Sequence, residues 1–320
     1  MVYNTLTKLE VCVVLSNLFN NVNIYNKLFT IPDTKILKLS IDKENLSLEE
    51  SEKKVFSIFE KSSKKVIIKA FSFQPNLNGY GVIIKERKED LKKGIEKIKL
   101  KSEIKFVVDG KDKYIQEELK TYGDVIRVSS VTDLYKNKLI SKAYGESKND
   151  VAIYDLMEIV TLGQALNKKE VEILTTIHGN AVDGGKVISI KNGTTYREVF
   201  ENLKGNYSLL KKVIDGGSIN GTPIYDLDLP INENSNGILF LTEKDSPSEE
   251  AYSCIRCGKC LRACPEGLNP IKLVELYKMK EKDEFIKFGG EKCIECGLCS
   301  FVCPSKIEIA QSIKTAKTFK

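Results

Sequence analysis

The sequence reads Cys254-Ile-Arg-Cys257-Gly-Lys-Cys260-Leu-Arg-Ala-Cys264-Pro265 towards its C-terminal end, and the pattern returns as Cys293-Ile-Glu-Cys296-Gly-Leu-Cys299-Ser-Phe-Val-Cys303-Pro304. These two stretches contain eight of the nine cysteines of the chain. Both have the spacing C-x2-C-x2-C-x3-C-P, which is typical of [4Fe–4S] ligation in bacterial two-cluster proteins. We therefore expect two [4Fe–4S] clusters.

The fourth cysteine of each run is expected to bind the cluster of the other run, as is usual for this pattern. The first cluster is assigned Cys254, Cys257, Cys260 and Cys303. The second cluster is assigned Cys293, Cys296, Cys299 and Cys264. Crossed ligation makes the two clusters close neighbours, an arrangement that suits the relay of single electrons.

Two other uses of these cysteines fit the pattern less well. Four thiolates could bind zinc, but zinc explains neither the third cysteine of each run nor the repeated Cys-Pro. Disulfides belong to oxidising compartments. The first residues, Met-Val-Tyr-Asn-Thr-Leu-Thr-Lys, lack the basic stretch and long apolar core of a secretory signal. We therefore expect reduced thiolates in the cytoplasm.

Length and charge narrow the function classes. A chain of 320 residues suggests roughly two or three domains. Fifty basic and 44 acidic side chains are interleaved and give a net charge of +6, so we expect no nucleic-acid partner. The longest apolar run, residues 11–15, is far shorter than the ~18 residues of a membrane span. The expected location is the cytoplasm, either free or peripheral on the cytoplasmic face of a membrane complex.

The fold class predicted before the clusters is α+β and multidomain. Residues 1–64 contain a predicted strand at 36–41 and a helix at 47–61 that begins with a capping-box pattern. Residues 65–168 alternate strands and helices, which predicts a Rossmann-like α/β domain. The strands are expected at 66–70, 81–85, 104–108, 125–128 and 151–154, and the helices at 89–98, 114–122 and 156–166.

Residues 169–242 change pattern. Strands at 171–177 and 186–190 form a predicted hairpin, followed by a helix at 195–203 and a strand at 213–215, which together predict a β-grasp domain. In residues 243–320, helices are expected from Pro270 to about Lys282 and again after Pro304. The 28 residues between Cys264 and Cys293 favour a helical dicluster ferredoxin.

The two cysteine runs resemble those of the C subunit of the Rnf electron-transport complex, which is itself similar to the flavoprotein subunit of respiratory complex I. The likeness extends to Val213-Ile-Asp-Gly-Gly-Ser-Ile-Asn-Gly221 and to Asn236-Gly-Ile-Leu-Phe-Leu-Thr242. It implies a β-grasp domain of the SLBB type at 169–242, and electron transfer between NADH, FMN and a ferredoxin or membrane complex.

The sequence also departs from that family. The resemblance would place a Gly-rich FMN loop within residues 1–80, where Gly79 is the only glycine, and no Asn-x-x-Glu-x-Glu-Pro segment follows. A loop whose amides approach a phosphate needs glycines. The lipoyl-like N-terminal domain that the resemblance implies is not recognisable in the sequence either. We therefore expect a shortened relative without the usual FMN and NADH site.

Residues outside the ligand set have simpler interpretations. His178 is expected at a turn or partly buried rather than catalytic, and Cys12 as a small buried apolar residue. Gly258 and Gly297 are expected to let the ligand loops wrap tightly. Three basic side chains lie between the ligands: Arg256, Lys259 and Arg262. They are expected either to aid solubility or to attract an acidic redox partner. Gly216, Gly217 and Gly221 are expected to shape a turn.

Three functions remain open from the sequence. The first is an electron-transfer adaptor between protein redox partners such as a reductase, a flavoprotein or a ferredoxin. The second is an FMN-dependent enzyme that oxidises NADH, as the resemblance implies. The third is a structural docking subunit whose clusters stabilise the fold.

Overall fold

The computed structural model describes residues 35–39, 41, 53, 55–57, 59, 63–72, 74, 77, 79–128, 136–145, 150–232, 235–245 and 251–318. Their contacts divide them into two compact units, one within 35–245 and one spanning 251–318. Among these residues no helix combines the length and the apolar character needed to cross a membrane.

The first unit contains a sheet of four parallel strands in the order β4-β3-β2-β5. The strands are β2 (Lys65–Lys69), β3 (Glu103–Asp109), β4 (Asp124–Val128) and β5 (Val151–Asp155). The central strands β2 and β3 are apolar and almost wholly buried, as expected for a parallel sheet covered on both faces. The four predicted strands at 66–70, 104–108, 125–128 and 151–154 are confirmed.

Within residues 79–166, five helices accompany this sheet where the chain is described. They are α1 (Tyr80–Glu86), α2 (Lys88–Lys99), α3 (Lys113–Lys120), α4 (Lys136–Tyr144) and α5 (Leu156–Leu166). Asp155 caps α5 by accepting a hydrogen bond from the Met157 N–H, and Glu158 completes a capping box. The helices predicted at 89–98, 114–122 and 156–166 are confirmed as α2, α3 and α5.

One prediction in this region is wrong. Residues 81–85 were expected to form a strand, but they lie inside helix α1. Tyr80, Ile83 and Ile84 are buried at helical spacing against the core, so packing of one face outweighs the strand preference of Val82 and the two isoleucines. Helix α4 was not predicted at all.

A six-stranded mixed sheet follows, in the order β1-β7-β6-β10-β8-β9. Its strands are β1 (Ile36–Lys38), β6 (Ile173–His178), β7 (Lys186–Ile190), β8 (Lys212–Asp215), β9 (Thr222–Ile224) and β10 (Gly237–Leu241). Strands β6 and β7 form the predicted hairpin, and the predicted helix follows as α6 (Tyr196–Asn202), capped by Thr195. The sheet is larger than predicted, because β9 and β10 were not anticipated and β1 pairs with β7.

The second unit is helical in its described residues. Its α-helices are α7 (Lys259–Ala263), α8 (Pro270–Lys278), α9 (Lys282–Lys287), α10 (Leu298–Phe301) and α11 (Ile309–Lys317). Helix α8 begins at Pro270 as predicted and is capped by Asn269, but it ends at Lys278 rather than near Lys282, and α9 is separate. Leu273, Val274 and Ile313 pack in a small apolar core.

Some predictions fall on residues that are not described. These are the apolar run 11–15 with Cys12, and most of the helix predicted at 47–61. Within that helix the described residues 53, 55–57 and 59 are helical.

Candidate metal centre

The first ligand loop, residues 254–260, turns tightly around its own cysteines. Arg256 adopts left-handed backbone with φ of 54°, and Gly258 does the same with φ of 70° before α7 begins. The turn at Arg256 aims its N–H at the Cys254 sulfur, with N···Sγ of 3.4 Å. Gly258 can take this conformation at little cost, because it has no Cβ. The loop therefore points backbone donors at its sulfurs.

The second ligand loop, residues 293–299, repeats this geometry 39 positions later, as Cys293 follows Cys254. Glu295 (φ 55°) and Gly297 (φ 80°) are the left-handed counterparts of Arg256 and Gly258. The same offset relates α8 to α11. A loop and a following helix are thus used twice in this unit.

The fourth cysteine of each run lies beside the loop of the other run. Cys303 and Cys260 pack against the same apolar core. Burial raises the pKa of Cys260, and the charges of Cys303 and Cys257 raise it further. Cys264 likewise acts on Cys293. A small cavity is lined by the four cysteines of the second predicted set: Cys264, Cys293, Cys296 and Cys299.

Burial and backbone donors act in opposite directions on these thiols. Burial, aided by the charges of Cys296 and Cys293, raises the pKa of Cys299 to about 12. The Ser300 N–H donates to Cys299 and lowers its pKa, which favours the thiolate. Hydrogen bonds from Leu261 and Ile271 do the same at Cys260.

Thiolates are the ligands of iron–sulfur clusters, so this donor set has the chemistry that two clusters require. These cysteines would hold the clusters as thiolates, and the backbone N–H groups that donate to them would stabilise the sulfurs and tune the reduction potential. Among the described residues, no three His, Cys, Asp or Glu side chains approach closely enough to hold a single metal ion. The ligands of one four-iron cluster bind separate irons and therefore stand further apart.

His178 lies at the end of β6, and its Nδ1 accepts a hydrogen bond from the Gly179 N–H at 2.8 Å. Burial lowers its pKa and so favours the neutral ring. The partly buried position expected for His178 agrees with this geometry.

A polar cavity of about 350 Å³ was not anticipated from the sequence. It lies where β2 and β5 end, next to Lys69 and Asp155, and is completed by Asp215, Gly216 and Asn220. The carboxyl ends of parallel strands are where α/β proteins bind ligands. The available signal was Asp155, which lies at the end of a strand and caps the helix that follows.

The residues of this cavity suit the phosphate of a flavin poorly. Asp155 and Asp215 both face it, whereas Lys69 is its one cationic residue among those described. Gln74, in the loop after β2, accepts a hydrogen bond from the Ile219 N–H at 2.9 Å and also bonds the Asn220 side chain. The Gln74 side chain thus connects the loop after β2 to residues 219–220.

Comparison with known proteins identifies the C-terminal region. Two families, each described as "4Fe-4S dicluster domain", match residues 253–307 and residues 231–269. The C subunit of the proton-translocating ferredoxin:NAD(+) oxidoreductase complex of Clostridium ljungdahlii is 41% identical over 103 residues, which are 32% of this chain and 22% of that protein.

Two further relatives are similar. The C subunit of the Na(+)-translocating ferredoxin:NAD(+) oxidoreductase complex of Acetobacterium woodii is 34% identical over 100 residues, 31% of this chain and 23% of that protein. The C subunit of the ion-translocating oxidoreductase complex of Methanosarcina acetivorans is 33% identical over 134 residues, 41% of this chain and 28% of that protein. The matches thus span less than a third of the length of these relatives.

Among solved structures, one chain of an NAD+-reducing [NiFe]-hydrogenase in the H2-reduced state is similar in fold, with a TM-score of 0.51 at 9% identity. The match covers 85% of this chain and 57% of that one. At this identity the likeness concerns the fold alone.

The cysteine runs and these comparisons agree with the expected cofactors and with the resemblance drawn from the sequence. Residues 253–307 match a 4Fe–4S dicluster domain, their cysteines support two [4Fe–4S] clusters, and the C-terminal region is similar to the C subunits of ion-translocating oxidoreductase complexes.

Proposed function

We propose that this chain is an iron–sulfur electron-transfer subunit that relays single electrons through two [4Fe–4S] clusters between protein redox partners. The observation that carries the proposal is that each run meets the fourth cysteine of the other: Cys264 lines one small cavity with Cys293, Cys296 and Cys299, and Cys303 packs against the same apolar core as Cys260. Clusters that share ligand segments in this way lie close together, and an electron can pass from one to the other.

We further infer the crossed ligand sets. The first cluster is held by Cys254, Cys257, Cys260 and Cys303, and the second by Cys293, Cys296, Cys299 and Cys264. The matching left-handed turns of the two loops support equivalent roles for cysteines 39 positions apart.

We also infer the domain types from the strand orders of the two sheets. The parallel sheet has its strands in the order third, second, first, fourth, which supports a Rossmann-like unit within 65–168. In the mixed sheet, β10 lies parallel to β6 in the middle, with the β6–β7 hairpin on one side and β8–β9 on the other. This order supports a β-grasp domain, which we place at 169–242, followed by a helical ferredoxin at 243–320.

The partners are proposed from the relatives, which are subunits of ferredoxin:NAD(+) oxidoreductase complexes. We infer a multi-subunit oxidoreductase in which this chain exchanges electrons with another protein, peripheral to a membrane complex on its cytoplasmic face. The carboxylates Asp155 and Asp215 support a relay without a flavin of its own.

The test is iron and acid-labile sulfide analysis of protein purified without oxygen. We expect about eight irons and eight sulfides per chain, since each cluster contributes four of each. A dithionite titration followed by electron paramagnetic resonance should reduce both clusters. Colourless protein without sulfide would refute the proposal, and clusters that no reductant reduces would favour a purely structural role.

Double substitutions test the crossing. With crossed ligation, Cys260→Ser with Cys303→Ser damages one cluster and leaves about four irons, whereas Cys260→Ser with Cys264→Ser damages both. Uncrossed ligation gives the reverse result. Cys12→Ser, at the cysteine outside the two runs, is the matched control and should keep about eight irons.

A further inference from the structure

The two ligand loops have the same backbone conformation, but their cysteines differ in solvent exposure. Cys254 and Cys257 of the first loop are exposed, whereas Cys293 and Cys296 of the second are only partly exposed and Cys299 is buried. A donor or acceptor outside the protein can therefore approach the first cluster more closely than the second.

Large apolar side chains surround the exposed cysteines. Ile255 is 68% exposed, Tyr252 is 69% exposed and Leu261 is 47% exposed. Exposed apolar groups of this size, placed together in sequence beside a redox centre, are typical of a protein contact.

The two loops have opposite charges at one pair of equivalent positions, Arg256 and Glu295. Glu295 of the second loop forms an ion pair with Lys317 of α11 at 2.7 Å, and Lys317 also donates to the Cys293 carbonyl at 2.8 Å. The counterpart of Glu295 is Arg256, and the counterpart of Lys317 is Lys278. Two cations cannot form this bridge, so the first loop lacks the contact that holds the second loop against its helix.

The basic side chains of the first loop keep their charge available. Ion pairs within the described part of the second unit involve Lys272, Lys287 and Lys317, and none involves Arg256 or Lys259. Arg262 donates to the Cys257 carbonyl at 3.3 Å, which leaves its positive charge at the edge of the loop.

We propose that residues 252–262, the first-loop face, are the docking surface for an acidic one-electron carrier protein. This inference rests on the proposed relay function. In each encounter the carrier loses one electron and the first cluster gains it, or the reverse, with no bond made or broken. Arg256, Lys259 and Arg262 attract the carrier, and Tyr252 and Ile255 form the apolar centre of a small, transient contact.

The experiment uses the full chain with both clusters and fully reduced flavodoxin of net negative charge as the probe. Stopped-flow measurement without oxygen gives the second-order rate of cluster reduction at increasing salt. We expect the rate to fall steeply with ionic strength, because salt screens the attraction. Arg256→Asn with Lys259→Gln should lower the low-salt rate by about tenfold and flatten the salt dependence. Asn is chosen at position 256 because it tolerates left-handed backbone.

The control is Lys93→Gln with Lys97→Gln, which removes the same charge from exposed positions of α2 and should change the rate less than about twofold. Iron content confirms that every variant holds both clusters. A rate that is indifferent to salt and equal in both double variants would overturn the docking face while leaving the relay intact. Clusters that no carrier or dithionite reduces would instead overturn the relay itself.

Carbodiimide cross-linking provides a second readout on the unaltered chain, so the proposal does not depend on how Arg256→Asn folds. Lys259 should be joined to carboxylates of the carrier, as identified by mass spectrometry of the linked peptides. Cross-links confined to lysines outside residues 252–262 would contradict the docking face.

Discussion

At the scale of single residues, one glycine sets how closely two helices of the first unit approach. A Cβ on Gly163 of α5 would lie 1.7 Å from the Asp90 carbonyl oxygen of α2, a distance that no packing can accept. The side chain at this position is therefore excluded by the backbone of a neighbouring helix.

Gly163→Ala should destabilise the first unit by about 3 kcal/mol, because α2 and α5 must move apart to admit the methyl group. The matched control is Gly81→Ala in α1, where the new Cβ would be 3.8 Å from the Tyr114 ring, an ordinary contact. That change should stabilise by about 0.5–1 kcal/mol, since glycine is a poor helix former. Calorimetric unfolding measures both, and equal effects would contradict the proposed close approach.

The ligand role of the cysteines could be predicted from their spacing, because three ligands of each cluster lie close together in one short loop. The opposite exposure of the two loops could not be read in this way. Nor could the contact of the second loop with Lys317, which lies 22 positions from Glu295 and belongs to α11.

At the scale of elements, Glu172 connects parts of the chain that are distant in sequence. It lies just before β6, is 7% exposed, and pairs with Lys38 of β1 at 2.7 Å and with Arg87 at 2.8 Å. Ser189 of β7 also donates to its carboxylate. Burial by itself would raise the pKa of Glu172, but the hydrogen bonds from Lys38 and Ser189 and the nearby positive charges hold this pKa below its usual value.

A depressed pKa in the folded state stabilises the protein above the unfolded pKa of about 4.3, and the stabilisation is lost as pH falls through the lower folded value. Glu172→Gln should therefore lower the free energy of unfolding by about 1–3 kcal/mol at pH 7, and the difference from wild type should shrink as the pH falls below about 4. Glu96→Gln, at an exposed and weakly paired position of α2, should change it by less than about 0.5 kcal/mol. A loss that is independent of pH would show that the charge of Glu172 is not the cause.

The elements also show where local patterns fail. Strands β2 and β3 were predictable, because each contains an uninterrupted buried apolar run, as is typical of a parallel sheet covered on both faces. Helix α1 was not, since its run of Val and Ile prefers strands and only burial of Tyr80, Ile83 and Ile84 against the core makes it helical. Strand β10 is equally apolar, but its place between β6 and β8 requires partners about 60 and 25 positions away.

At the scale of the whole molecule, the two units differ in what stabilises them. The first unit has extensive apolar cores around its two sheets. The core of the second unit is small, and four of the ligand cysteines pack against it: Cys260, Cys264, Cys293 and Cys303. Small domains with little apolar core usually depend on metal or disulfide links.

Removal of the clusters should therefore unfold the second unit and spare the first. Calorimetry of the protein with its clusters should show two transitions, and stripping iron with a chelator should abolish one while moving the other by less than about 2 °C, because ligand binding stabilises only the unit that binds it. Two transitions that weaken together on iron removal would contradict this division.

The sequence by itself determined the cofactor chemistry, because eight cysteines at repeated short spacings specify their ligand role without reference to the rest of the chain. It also determined most helices and strands whose apolar periodicity is strong. Only the tertiary structure decided the extent of the mixed sheet, the polar cavity at the ends of β2 and β5, and the exposure of the first ligand loop. These features arise from contacts between residues far apart in sequence, and local patterns carry no information about which distant residues will meet.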